Sequence, residues 1–368
     1  MSIDFYSQAV PSITALSPYR PGKPAGELQR EMGLSDIISL ASNENPLGPS
    51  PRALAAASAA LMRVERYPDG AGFELKAALS SAYNVGPERI TLGNGSNELL
   101  NLVARVFVRP GDEVIYSQYA FIAYPIATRA CQAHPVEVPA KMYGHDLTAM
   151  AGAVTERTRL IYLANPNNPT GTAFSDSALR AFLDAVPAHV VVVLDEAYTE
   201  YVDVDAGLPN GLALIDEYDN LVVTRTFSKA FGLAGLRVGF AVSNPQISDL
   251  MNRIREPFNI NVAAQAAAAA VLTDSDYLQQ VLDTNRRGMV QVSEGLRRLA
   301  VEFLTSQGNF VTLDLKRDAQ PIFDSLLRQG VIVRPLQPYN MPHHLRVTIG
   351  LEQENARFLA ALERALMC

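Results

Sequence analysis

Five short runs of apolar residues, separated by segments with helical periodicity, constrain the fold of this 368-residue chain most strongly. They occupy residues 113–116, 160–164, 190–194, 221–224 and 238–242. Runs that are apolar almost throughout are typical of strands buried on both faces of a sheet. Because such strands alternate with helical segments, the pattern predicts right-handed crossovers and an α/β fold, with a mostly parallel sheet between two layers of helices.

The chain divides into three predicted segments. Residues 1–30 are rich in Pro, Gly and Ser and include SPYRPGKP at 17–24, which predicts an extended N-terminal arm. Residues 31–275 carry the strand and helix alternation and predict a large three-layer domain. Residues 276–368 begin with a long helical pattern, continue with short strand-like runs and end in a helical one, which predicts a smaller α+β domain.

Composition excludes several classes of partner. The chain has 31 Lys and Arg against 38 Asp and Glu, a net charge of -7, and no basic tract, so we expect no nucleic-acid partner. Its two cysteines, Cys131 and Cys368, are too few for a disulfide framework. The N-terminus lacks a secretory pattern, and the most apolar stretch, 261–272, is shorter than the roughly 20 residues that span a bilayer. We therefore expect a cytoplasmic protein without a membrane partner.

Polar residues follow two of the predicted strands, where ligands of open α/β sheets bind. The run 160–164 precedes NPNNPTG, residues 165–171, whose prolines and glycine predict a rigid loop that presents Asn168. The run 190–194 precedes DEAY, which begins with Asp195. Taken alone, each motif equally fits a plain turn or a helix cap.

Lys229 is the strongest candidate for lysine chemistry. It follows the run 221–224 within TFSKAFGLAGLRVG, among apolar residues and glycines, where desolvation favours the neutral, nucleophilic amine. A surface lysine with an apolar stem is the alternative. That alternative fits the other four lysines, at positions 23, 76, 141 and 316, better than it fits Lys229.

A glycine-containing segment, GNGSNE at 93–98, opens a predicted helix. Unpaired backbone N–H groups at Gly95 and Ser96 would face an anion at the positive end of the helix dipole. The segment lacks the last glycine of a dinucleotide fingerprint, so by itself it leaves open a protein that binds phosphate without covalent chemistry.

Together, these motifs resemble the fold-type I pyridoxal-phosphate-dependent aminotransferases. NPNNPTG, DEAY and TFSKAFGLAGLRVG stand in the order and spacing of that family, and the resemblance covers nearly the whole chain. It implies the fold-type I transferase fold and pyridoxal 5'-phosphate as cofactor, which needs an amine for its aldehyde, donors for its phosphate and a carboxylate for its ring nitrogen.

Further markers resemble the histidinol-phosphate aminotransferase subfamily: SPYRPGKP, ASNENPLGP at 41–49, RYPD at 66–69 and LRVTIG at 345–350. This resemblance implies amino transfer between histidinol phosphate and 2-oxoglutarate, which yields imidazole-acetol phosphate and glutamate in histidine biosynthesis. An aromatic amino-acid aminotransferase and a pyridoxal-phosphate-dependent decarboxylase of a phosphorylated amino acid remain alternatives.

The resemblance also implies roles for residues that would hold the cofactor. Lys229 would form the covalent link and then act as the base, Asp195 would pair with the ring nitrogen, and two donors would serve the ring's phenolate oxygen: Asn168 and Tyr198. The cofactor phosphate would contact Arg237, Ser228, Thr226 and the N–H groups of Gly95 and Ser96. An aromatic residue would cover the ring, with Phe121 favoured over Tyr119.

Other positions would serve the substrate and the assembly. Tyr67 resembles a tyrosine that reaches the cofactor phosphate from the neighbouring subunit, which implies a homodimer with shared active sites. Arg346 would bind a substrate anion, and three further residues are candidate helpers: Tyr19, Asn43 and Arg334, although Arg334 also fits an ordinary surface arginine. We expect no metal site, and we interpret the adjacent His343 and His344 as exposed loop residues.

Overall fold

The computed structural model describes residues 3–18 and 22–367. The strands are β1 (Ile38–Ser39), β2 (Ile90–Gly93), β3 (Glu113–Ser117), β4 (His134–Val138), β5 (Thr158–Ala164), β6 (Val191–Asp195), β7 (Leu221–Thr226), β8 (Gly239–Ser243), β9 (Glu302–Leu304), β10 (Phe310–Asp314), β11 (Val331–Ile332), β12 (Arg334–Pro335) and β13 (His344–Thr348).

The helices are α1 (Phe5–Gln8), α2 (Pro11–Thr14), α3 (Ala25–Met32), α4 (Pro51–Leu61), α5 (Phe73–Tyr83), α6 (Ser96–Phe107), α7 (Ala123–Ala130), α8 (Leu147–Gly152), α9 (Asp176–Ala185), α10 (Pro245–Ile254), α11 (Val262–Val271), α12 (Ser275–Arg298), α13 (Gln320–Arg328) and α14 (Glu352–Leu366). Short 3-10 turns lie at Pro87–Arg89, Thr199–Tyr201, Val204–Ala206, Gly211–Ala213, Ala234–Leu236 and Gln337–Tyr339.

A seven-stranded sheet, in the order β2-β8-β7-β6-β5-β3-β4, forms the centre of the large domain. Its strands run parallel except β8, which is antiparallel to both of its neighbours. The five apolar runs coincide with β3, β5, β6, β7 and β8, which confirms the predicted strands. The sequence did not predict β4, because this edge strand leaves most of its residues exposed or half-buried and so lacks an apolar run.

Alternate residues of the central strands pack into two cores. In β6, Val192 and Leu194 face a core built with α4, α5, α8, α9 and α11, whereas Val191 and Val193 face a core built with α6, α7 and α10. Burial on both faces is the physical reason for the unbroken apolar runs. The predicted three-layer α/β/α architecture is therefore confirmed.

The C-terminal part forms a smaller α+β unit. Four antiparallel strands, in the order β12-β13-β10-β9, share a core with α12, α13 and α14. His344 lies on the inner strand β13 and is buried at 7% exposure, so its interpretation as an exposed loop residue is wrong, whereas His343 is exposed. Arg334 on β12 is likewise buried, which excludes an ordinary surface arginine.

The N-terminal segment is not an extended arm throughout. Its described residues form α1, α2 and α3, and Leu28 of α3 is fully buried against Ala41, Leu327 and Ile332. Strand β1 pairs in parallel with β11, so this segment packs on the small unit. The proline- and glycine-rich sequence before α3 led to the prediction of an extended arm, although residues 25–32 form a short amphipathic helix that buries Leu28. The predicted boundaries at residues 30 and 275 stay a prediction.

Among the described residues, no helix combines the length and the apolar character that crossing a bilayer requires.

Candidate active site

A cavity of about 160 Å³ opens at the carboxyl ends of β5, β6 and β7. This is where a mostly parallel sheet is expected to bind its ligand. The cavity brings together most of the residues that the sequence singled out, and its lining consists of Ser96, Asn97, Phe121, Tyr124, Ala164, Pro166, Asn168, Asp195, Ala197, Tyr198, Thr226, Ser228, Lys229 and Arg237.

Asp195 ends β6 and is buried at 5% exposure. Its carboxylate accepts hydrogen bonds from the Tyr124 hydroxyl at 3.0 Å and from the Thr224 hydroxyl at 3.1 Å. Burial raises the pKa of Asp195 to about 6, against the opposite effect of these hydrogen bonds. A cationic partner would favour the charged carboxylate, so this group is suited to hold a protonated ring nitrogen.

Lys229 is half-buried after β7, and its Nζ donates to the Ser42 carbonyl at 2.9 Å. Burial lowers the pKa of this amine to about 7, and the neighbouring cations Arg346 and Arg237 lower it further, against the opposite effect of Glu44. A large fraction of the amine is therefore neutral near pH 7, as a nucleophile or a general base requires.

Gly95 and Arg237 form a site suited to a phosphate group. Gly95 precedes the first residue of α6, with φ +77°, and an added Cβ there would lie 2.5 Å from Nη2 of Arg237. Only glycine lets the guanidinium approach the helix N-terminus so closely. Arg237 Nη1 donates to the Ser228 hydroxyl at 3.2 Å, and the Thr226 hydroxyl accepts from the Ser228 N–H at 3.1 Å.

The small unit contacts a residue of the cavity lining, Asn168, through Arg346 on β13. Arg346 is buried at 6% exposure and donates to the side-chain oxygen of Asn168 and, at 2.6 Å, to the carbonyl of Ala41. Nearby, Asn43 donates through its side chain to the Tyr198 hydroxyl at 2.9 Å. Burial raises the pKa of Tyr198 to about 12, which keeps its phenol protonated and able to donate.

Besides Gly95, Asn43 and Arg346, which are described above, three more predicted residues lie outside the cavity lining: Tyr119, Tyr67 and Arg334. The Tyr119 ring centroid lies 5.7 Å from that of Tyr143, whereas Phe121 lines the cavity. Tyr67 is 81% exposed. Arg334 lines a neighbouring cavity of about 400 Å³ together with residues 337–339. Tyr19 lies outside the described residues.

Tyr124 and Thr224, which contact Asp195, were missed from the sequence. Thr224 lies two residues before Thr226 on β7, so the strand period of two would have placed both on one face. Tyr124 is fully buried and stacks on Tyr162 with the centroids 4.5 Å apart. Nothing in the sequence distinguishes Tyr124 from a tyrosine that only packs in the core.

These side chains fit pyridoxal phosphate. A buried carboxylate, a half-buried amine with lowered pKa, an aromatic ring and a cation beside a helix N-terminus share one cavity. Each matches one part of that cofactor: the ring nitrogen, the aldehyde, the ring face and the phosphate.

Residues 35–362 match the family of class I and II aminotransferases. The chain belongs to this family. It is 53% identical over 368 residues to histidinol-phosphate aminotransferase 2 of Pseudomonas fluorescens, an alignment that covers 100% of this chain and 99% of the relative. It is 51% identical to histidinol-phosphate aminotransferase 1 of Mannheimia succiniciproducens, covering 98% of this chain and 99% of the relative.

Among solved structures, the fold matches that of histidinol-phosphate aminotransferase from Sinorhizobium meliloti in complex with pyridoxal-5'-phosphate. The TM-score is 0.90, the sequence identity is 31%, and 98% of each chain is covered. The class I and II aminotransferases depend on pyridoxal phosphate. The family therefore confirms the predicted aminotransferase, its fold-type I architecture and its cofactor.

Proposed function

We propose that this aminotransferase transfers the amino group between histidinol phosphate and 2-oxoglutarate, in histidine biosynthesis. The observation that carries the proposal is identity above 50% over essentially the full length to proteins of that name. The cavity supports the same chemistry, because it combines a nucleophilic amine with groups for a phosphorylated pyridine aldehyde.

Pyridoxal phosphate, when bound, supplies an aldehyde that links to amines and a ring that draws electrons from the substrate Cα. Lys229 would hold the aldehyde and then move the proton at the substrate Cα. Asp195 would keep the ring nitrogen protonated. Asn168 and Tyr198 would donate to the phenolate oxygen, and Phe121 would cover one ring face.

The cofactor phosphate would be bound by charge and by backbone together. Arg237 supplies the cation, Ser228 and Thr226 supply hydroxyls, and the N–H groups of Gly95 and Ser96 complete the set. Tyr67 of a neighbouring subunit would add one more hydroxyl, which makes the enzyme a homodimer with shared active sites. We also place the enzyme in the cytoplasm.

The substrate's anionic group would bind Arg346, with Arg334, Asn43 and Tyr19 as helpers. Arg346 is the central choice because it already contacts Asn168, a residue of the cofactor cavity. A guanidinium can bind either the phosphate of histidinol phosphate or the carboxylate of 2-oxoglutarate in a bidentate way.

Steady-state kinetics test the substrate assignment. We expect kcat/KM for histidinol phosphate, with 2-oxoglutarate as acceptor, to exceed kcat/KM for phenylalanine. The reverse ranking would indicate an aromatic amino-acid aminotransferase, and release of carbon dioxide without an oxo-acid acceptor would indicate a decarboxylase.

Borohydride reduction of the cofactor-loaded enzyme tests the site assignment independently. We expect the cofactor to be fixed on the peptide that carries Lys229. A label on another lysine, or none, would contradict the assignment of the nucleophile. A protein that only binds phosphate without covalent chemistry, which the sequence alone leaves open, would show no visible absorption band.

A further inference from the structure

We propose that the buried pair of Glu196 and Arg225 is a positioning element that holds the ends of β6 and β7 together, so that Asp195 and Thr226 present their side chains to the cofactor in fixed geometry. The proposal rests on the roles assigned above to Asp195 and Thr226. Neither Glu196 nor Arg225 belongs to the cavity lining, so they would act through their neighbours.

The pair is buried and densely hydrogen-bonded. Glu196 is 1% exposed and Arg225 is 7% exposed. Arg225 donates to one Glu196 oxygen through Nε at 2.9 Å and through Nη2 at 2.7 Å, and Nη2 also donates to the side chain of Asn210 at 2.9 Å. The other Glu196 oxygen accepts from the Gly211 N–H at 2.6 Å. Every one of these contacts restricts the orientation of the pair.

The position of the pair in the two strands links it to the active site. The cavity is lined by Asp195 of β6 and by Thr226 of β7. Thr224 of β7 faces the same side, because its hydroxyl donates to Asp195. Because side chains alternate along a strand, Glu196 and Arg225 point to the opposite side of the sheet. There the Arg225 guanidinium lies 5.2 Å from the centre of the Tyr83 ring, within the helix layer.

Stability alone does not account for such a pair. Two buried charges lose their hydration, and an apolar pair of similar volume is often equally stable or more stable, so a buried ion pair is weak support for a purely stabilising role. What the ion pair adds is orientation, because its hydrogen bonds join the residue after Asp195 to the residue between Thr224 and Thr226.

Glu200 provides a matched control within the same cluster. Its carboxylate is buried and has no hydrogen-bond partner among the described residues, and burial raises its pKa to about 7. It acts on Arg225 only through charge. Above about pH 8, where the Glu200 carboxyl is mostly charged, Glu200→Gln removes a negative charge beside the same arginine, as Glu196→Gln does, but leaves the hydrogen bonds of the pair in place.

The test compares Glu196→Gln and Arg225→Lys with Glu200→Gln in the full-length enzyme. A second control, Glu113→Gln, removes a buried carboxylate that pairs with Arg157 at the start of β3, away from the carboxyl ends of the strands. For each variant, the cofactor dissociation constant is measured by titrating the cofactor-free enzyme, the melting temperature is measured without cofactor, and kcat and KM are measured with it.

We expect Glu196→Gln to weaken cofactor binding about tenfold and to lower kcat, with KM for 2-oxoglutarate nearly unchanged. Arg225→Lys keeps the charge but loses the paired contacts, so we expect an intermediate loss. Glu200→Gln and Glu113→Gln should bind the cofactor as the wild type does, although Glu113→Gln should lower the melting temperature.

The inference is overturned if Glu196→Gln and Arg225→Lys lower the melting temperature but keep wild-type cofactor affinity and kcat, because the pair would then be only structural. Equal losses in Glu196→Gln and Glu200→Gln would overturn it too, since charge in the cluster would then matter rather than the pair. Asp195→Asn tests the proposed cofactor role of Asp195 separately from the positioning role of the pair. If this variant binds the cofactor with wild-type affinity, the site assignment itself is refuted.

Discussion

Burial acts on the two central residues of the site in the same sense, because it favours the neutral form of each. It lowers the pKa of Lys229 to about 7 and raises the pKa of Asp195 to about 6. For the lysine, the neutral amine is the reactive form. For the aspartate, the positive ring nitrogen of the bound cofactor would restore the charged form.

The lowered pKa of Lys229 makes the cofactor-free protein more stable as the pH rises. Between about pH 7 and the ordinary lysine value of 10.5, the folded state binds fewer protons than the unfolded state, so the free energy of unfolding increases with pH. We expect cofactor-free Lys229→Met to be more stable than the wild type at pH 7, by a few kcal/mol, with an advantage that shrinks toward pH 10.

Urea unfolding of both cofactor-free proteins across this pH range measures the difference. Lys141→Met, at an exposed lysine, is the control and should follow the wild-type pH dependence. Parallel curves for Lys229→Met and the wild type would contradict the low pKa of this amine.

The hydroxyl of Tyr124 supports Asp195 through one hydrogen bond. Tyr124→Phe removes this donor, so we expect about a tenfold loss in kcat, since a hydrogen bond to a charged group contributes roughly 1.5–3 kcal/mol. Cofactor affinity should fall as well, and both are measured on the purified variant.

Tyr162→Phe is the matched control for Tyr124→Phe. Tyr162 stacks on Tyr124, but its hydroxyl donates to the Leu100 carbonyl instead of to Asp195. We expect this variant to lose stability while keeping kcat. Equal kcat in the two variants would mean that packing of the stack, rather than the hydrogen bond, supports the site.

Among the structural elements, the turn between β2 and α6 depends on an unusual backbone conformation. Gly95 has φ +77°, and Arg237, which it faces, also lies in the left-handed region with φ 58°. The end of β2, the start of α6 and Arg237 therefore meet where an added Cβ at position 95 would force the guanidinium to shift.

Gly95→Ala is expected to weaken cofactor binding at least tenfold, because the added Cβ would displace the Arg237 guanidinium. Gly111→Ala is the control, since Gly111 has φ +87° but nothing within 4 Å of an added Cβ. Both changes should lower stability by about 1–3 kcal/mol through backbone strain. Only Gly95→Ala should alter the dissociation constant of pyridoxal phosphate; equal constants in both variants would contradict the predicted phosphate site.

At the scale of the whole molecule, the small unit contacts the loop after β5, which borders the cofactor cavity. Arg346 on β13 contacts Asn168 in the loop after β5, and the Thr312 hydroxyl on β10 donates to the Pro169 carbonyl of the same loop. A movement of the small unit would therefore reach residues that line the cofactor cavity.

Subunit mixing tests whether two copies share their active sites. Tyr67 is 81% exposed and stacks on the half-exposed ring of Phe258, so its side chain is accessible to a second copy. Tyr67→Ala and Lys229→Ala should each be nearly inactive. Random mixing should recover about a quarter of wild-type activity, because half of the dimers are hybrids and one of their two sites is intact.

The control for subunit mixing is a mixture of Lys229→Ala subunits with Asp195→Ala subunits. Both residues line the same cavity of one chain, so no hybrid contains an intact site and no activity should return. Absence of recovery in the Tyr67 mixture, with hybrid dimers demonstrated by size, would contradict the shared site.

The sequence by itself determined five of the seven strands of the large sheet and the chemical groups of the site. The runs at β3, β5, β6, β7 and β8 are apolar because both faces are buried, and that pattern is local. The motifs around Asn168, Asp195 and Lys229 follow three of these strands, so the parallel arrangement places them at one edge.

Only the tertiary structure decided which residues support those groups from a distance in the chain. Tyr124 contacts Asp195, which lies 71 residues away in the sequence, and Arg346 contacts Asn168, which lies 178 residues away. The burial of His344 also came from the packing. Periodicity reports the surroundings of one element, whereas contacts between distant elements depend on how those elements pack.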